Sequence, residues 1–94
     1  MHRFIIERNI PGASELTEAQ LAEISRTSND AVSSLGTPYI WVTTYVAGDK
    51  LYCVHEAEDA ETVREHARRG GFPADLVSMI ANEFGPQTAD LVRT

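Results

Sequence analysis

The sequence predicts an α+β fold of ferredoxin-like type: a four-stranded antiparallel sheet with two helices on one face. Two observations predict it. Strand-like and helix-like stretches follow the order β-α-β-β-α-β, and the two central strand runs are separated by a turn of hairpin length. The 94 residues suit a single domain over 1–94, with 85–94 as a tail, because two separate cores would each fall short of the length that usually folds unaided.

The first strand is expected over 4–10, a short run rich in aromatic and β-branched residues that stops at Pro11-Gly12. The period then changes. Leu21, Ile24, Ser28, Ala31, Val32 and Leu35 recur at helical spacing, which predicts a helix starting at Thr17 and ending before Gly36 and Pro38. Thr17 followed by Gln20 is the spacing of a reciprocal N-terminal cap. Strands over 39–46 and 51–56 flank Ala47-Gly48-Asp49-Lys50 and should pair as a hairpin. Asp59 caps a second helix over 60–69, which Gly70-Gly71 and Pro73 terminate. A fourth strand is expected over 77–84, and a short terminal helix over 88–92.

Composition narrows the function. Eight Lys plus Arg against 14 Asp plus Glu give a net charge of −6, a field that repels phosphate backbones, so nucleic acid is not an expected partner. No stretch approaches the ~20 apolar residues of a membrane span, so no membrane role is expected. A single Cys53 cannot form an internal disulfide, which favours the cytoplasm.

Placing Gly48 and Asp49 in the hairpin loop sets a register: Tyr45 opposite Tyr52, Thr43 opposite Val54 and Trp41 opposite Glu56. If Phe4, Ile6, Ile40, Val42, Val46 and Leu51 meet the helices, the other face carries Ile5, Glu7, Trp41, Tyr45, Tyr52, Val54 and Glu56. That face is too apolar for open water, and a face-to-face homodimer forming an α+β barrel would cover it. Trp41, Tyr45 and Tyr52 would line its cavity. Glu7 and Glu56, inside or at its rim, would have to be paired, protonated or bound to a cation.

Other candidates are single residues with ordinary structural explanations. His66 lies on or beside the buried stripe of the second helix, where it is either a hydrogen-bonded core imidazole or a nitrogen donor for nickel, copper or zinc. His55 and Glu56, as strand neighbours, point to opposite faces. Cys53 reads as a buried thiol. Arg64, Arg68 and Arg69 complement the end of the second helix. No phosphate loop, paired-Cys zinc spacing or catalytic triad order is present, so no motif points to an enzyme.

The chain resembles a family of small, mostly actinobacterial nickel-binding proteins formerly catalogued as a domain of unknown function. The resemblance is carried by Arg3-Phe4-Ile5-Ile6-Glu7-Arg8, Trp41-Val42, Tyr45-Val46, Lys50-Leu51-Tyr52-Cys53-Val54-His55-Glu56-Ala57 and, most specifically, Val63-Arg64-Glu65-His66-Ala67-Arg68-Arg69-Gly70-Gly71-Phe72-Pro73-Ala74-Asp75. It implies a ferredoxin-like dimeric barrel that binds nickel. Thr43 and His55 depart from the family pattern, which carries a His and an aromatic residue there. The expected function is non-catalytic binding of a divalent transition ion, nickel foremost, by Glu7, Glu56 and His66. The alternative is a small-molecule binder or enzyme using the barrel cavity, with Glu56 or His66 as general base and Tyr45 or Tyr52 as hydrogen-bond donor.

Overall fold

A computed structural model describes residues 1–91. Strand β1 is His2–Asn9, helix α1 Glu18–Ser34, β2 Tyr39–Ala47, β3 Lys50–Ala57, helix α2 Ala60–Gly70 and β4 Leu76–Met79, with short 3-10 turns at Ala13–Glu15 and Pro86–Asp90. The sheet order is β2-β3-β1-β4, with every neighbouring pair antiparallel, which is the ferredoxin-like arrangement.

The local signals explain the helix boundaries. Thr17 accepts a hydrogen bond from the Gln20 backbone N–H while the Gln20 side chain accepts from the Thr17 N–H, so two otherwise orphaned donors at the start of α1 are satisfied. Asp59 accepts from the Thr62 backbone N–H at the start of α2, and Gly71 ends it at a φ of +72°, a left-handed conformation that disfavours a Cβ. Along β1, Phe4, Ile6 and Arg8 alternate inward with Arg3, Ile5 and Glu7 outward; along β3, Leu51, Cys53, His55 and Ala57 alternate inward with Tyr52, Val54 and Glu56. Phe4, Ile6, Tyr39, Leu51, Ala57 and Val63 form the centre of the core between sheet and helices.

Three expectations are corrected. Tyr45 does face Tyr52 and Thr43 does face Val54, but a register shift between Trp41 and Thr43 places Ile40, not Trp41, opposite Glu56. One extra residue in β2 reverses the faces beyond it, so Tyr39 and Trp41 turn inward and Ile40 turns outward, 46% exposed. The fourth strand is four residues long and does not reach 84, because β1 offers it partners only from Phe4 to Glu7, with two flanking bonds, from the Asp75 N–H to the Glu7 carbonyl and from the Ile80 N–H to the Arg3 carbonyl. The terminal helix is a 3-10 turn starting earlier, at Pro86; the part of the expected helix at Val92 lies outside the described residues. No helix among the described residues is long and apolar enough to cross a membrane.

Candidate functional site

The sheet separates the residues expected to act together. Glu7 and Glu56 are on its outer face, where Lys50 lies 3.5 Å from Glu7 and Arg3 lies 3.0 Å from Glu56. These ion pairs are half-exposed and satisfy both carboxylates without a metal. Tyr45 and Tyr52 are on the same face, Tyr45 being 63% exposed. His66, on α2, is on the other side, buried between the helices and the sheet, so within one protomer it cannot share an ion with the two glutamates. Among the described residues, no three His, Cys, Asp or Glu side chains converge as a metal cage.

The helix side instead holds a polar cluster inside an otherwise apolar core. Tyr39 OH lies 2.5 Å from His55 Nδ1, and Ser28 Oγ lies 3.1 Å from His66 Nε2. The Tyr39 and His66 rings stack at 5.1 Å, and the two imidazole rings meet edge to face at 5.0 Å. Burial pushes His55 down to about 3, aided by His66 and Arg8, and pushes His66 down to about 4, aided by Arg8. Both imidazoles are therefore neutral at pH 7. Burial also raises the Tyr39 phenol, which stays protonated. In the His66 tautomer whose Nε2–H donates to Ser28, Nδ1 presents a lone pair. That buried Nδ1 has no hydrogen-bond partner among the described residues.

Arg8 completes the cluster at 2% exposure. Its Nε donates to Cys53 Sγ at 3.3 Å, its Nη1 to the Pro73 carbonyl at 2.5 Å, and its guanidinium lies 5.5 Å from the centre of the Phe72 ring. Cys53 is a buried free thiol that also accepts from Thr44 Oγ1, itself the acceptor for Trp41 Nε1 at 2.9 Å. The β2 bulge makes this chain possible, because it turns Trp41 to the side of Thr44 and Cys53.

The cluster borders a cavity of about 430 Å³ between α1 and the inner face of β2 and β3. Leu21 and Ile24 of α1 oppose Trp41, Val46 and Leu51 across it, while Arg8, Cys53 and His55 supply its polar wall. This differs from the expected barrel cavity: Trp41 lines it, whereas Tyr45, Tyr52 and Glu56 do not. Glu56 therefore has no place as a base within it.

The sequence over residues 4–80 matches the family described as nickel-responsive protein SCO4226-like. The chain belongs to that family. Its fold is similar to the crystal structure of SCO4226 from Streptomyces coelicolor A3(2), with a TM-score of 0.73 and 19% identity over 87% of this chain and 99% of that one. Among curated proteins, no relative matches the chain. Membership accounts for the ferredoxin-like order and brings nickel responsiveness into the question of function.

Arg8, Tyr39 and Ser28 belong to the inner cluster although sequence reading gave them no functional role. Arg8 carried a usable signal: it continues the period-two set of Phe4 and Ile6, which points it inward. Tyr39 gave no such signal, since its face depends on the bulge.

Proposed function

We propose that this protein is a non-catalytic binder of a divalent transition ion, nickel foremost, acting as a homodimer. The observation that carries the metal reading is His66 Nδ1, a buried ring nitrogen with no hydrogen-bond partner among the described residues, on an imidazole that stays neutral at pH 7. A neutral imidazole is a borderline-soft ligand suited to nickel and needs no deprotonation to bind it. Among the described residues no three donor side chains converge on His66, so water would complete the coordination there. Glu7 and Glu56 are the alternative donors, on the outer face that a homodimer would cover. Calorimetric titration of tag-free protein with nickel, zinc and copper tests the reading. A saturable nickel isotherm lost in His66→Ala places the ion inside; one lost in Glu7→Gln with Glu56→Gln places it on the outer face. No saturable heat from any of the three ions overturns metal binding.

A further inference from the structure

The feature of the inner cluster that metal binding does not use is the Arg8 guanidinium. It is almost wholly removed from water, yet no carboxylate among the described residues forms an ion pair with it. A buried charge is ordinarily compensated by an opposite one, and here the neighbouring titratable groups are a thiol, a protonated phenol and two imidazoles. Of its five N–H groups, one bonds Cys53 Sγ and one the Pro73 carbonyl; the others have no protein acceptor among the described residues. Phe72 and the Pro73 carbonyl fix the plane of the guanidinium, so the fork is already oriented.

The neighbouring polar groups are committed elsewhere. Ser25 Oγ donates to the Leu21 carbonyl, Ser28 is engaged with His66, and Thr44 joins Trp41 to Cys53. Apart from Thr43, the rest of the wall is apolar, and the half-open Val42 and Val46 stand at its edge. The cavity thus has one unanswered cation and a long hydrophobic wall, the polarity of a site for an amphiphilic anion.

We infer that this cavity is a binding site for a small organic monocarboxylate, its carboxylate forked by Arg8 and its apolar body lying along Trp41, Leu21 and Ile24. A planar carboxylate matches the guanidinium fork with two parallel hydrogen bonds, and its charge supplies the counterion that the protein withholds. A net charge of −6 gives no long-range attraction for anions, so capture depends on this local contact. The site is separate from the nickel reading and does not require it.

Trp41 is the sole tryptophan and lines the cavity, so its fluorescence reports occupancy directly. The full chain is titrated with octanoate and, as a neutral probe of the same length, with 1-octanol, both in the presence of chelator. Octanoate should give a saturable Trp41 response with an affinity at least tenfold above that of octanol. Ile24→Trp, read by calorimetry because it adds a second fluorophore, fills the cavity without touching Arg8 and should abolish octanoate binding. Arg8→Met should remove the preference for octanoate over octanol; if that variant does not fold, the comparison on the unaltered protein still decides. No saturation with octanoate, equal affinity for octanol, undiminished binding in Ile24→Trp, or dependence of the response on added nickel would each overturn the inference.

Discussion

His55 and His66 set the pH response of the fold. In the unfolded chain their imidazoles take up protons near 6.5, whereas burial holds them down to about 3 and about 4 in the folded protein. Below 6.5 the unfolded state therefore binds more protons than the folded state, and stability falls as pH drops toward 4; above 6.5 the contribution is fully present. The urea midpoint is expected to fall steadily between pH 7 and pH 4.5, and His66→Leu to show a shallower fall because one of the two buried titrating groups is gone. A midpoint independent of pH over that interval would mean that the core accommodates charged imidazoles. Phe72 illustrates a steric dependence at the same scale. A Cβ on Gly70 would collide with the Phe72 ring, which lies 6.0 Å from His66 and beneath Arg8, so glycine at 70 lets that ring close the cluster.

Strand β2 shows how one residue alters an element's role. A regular strand would alternate faces without interruption, and Tyr39 and Trp41 would share the outer face with Thr43 and Tyr45. The extra residue between Trp41 and Thr43 breaks that alternation and sends both aromatic rings inward, one to His55 and one to the cavity. Deleting Val42 removes the extra residue but leaves Trp41 opposite His55 and Thr43 opposite Val54, so both rings should stay inward in a now regular strand. Trp41 emission should keep its position in the Val42 deletion. A red shift of Trp41 emission in the Val42 deletion would mean that the pairing with His55 is not what holds the ring inward. Removing the inward ring itself is the costly change: Tyr39→Ala is expected to lose ~3 kcal/mol or more, from the unsatisfied His55 nitrogen and lost aromatic burial, measured by denaturant unfolding.

For the molecule as a whole, the uncovered sheet face decides assembly. Ile40, Tyr45 and Leu76 are exposed on it, while Arg3 with Glu56 and Lys50 with Glu7 place charges of both signs around them. A second copy related by a two-fold axis can bury the apolar groups and re-form those ion pairs across the interface. Sedimentation at micromolar concentration is expected to give a dimer, and Tyr45→Glu to shift it toward monomer by placing an unpaired charge in the covered area. A monomer in the unaltered protein would reject the face-to-face assembly. The result also bears on nickel, because only a dimer could bring glutamates from two copies together.

The sequence by itself determined the β-α-β-β-α-β order, the capped start of each helix, the hairpin register at Tyr45 and Tyr52, and the outward placement of Glu7 and Glu56. These depend on local periodicity, turn chemistry and capping, which act over a few neighbouring residues. Only the tertiary structure decided that Trp41 faces inward, that Tyr39 meets His55, that Arg8 is buried with no acid paired to it among the described residues, and that His66 lies across the sheet from the glutamates. A bulge changes the face without leaving a periodic mark, and whether a buried charge is answered depends on residues dozens of positions apart, such as Arg8, Cys53 and Pro73. That pairing exists only once sheet and helices have closed on each other.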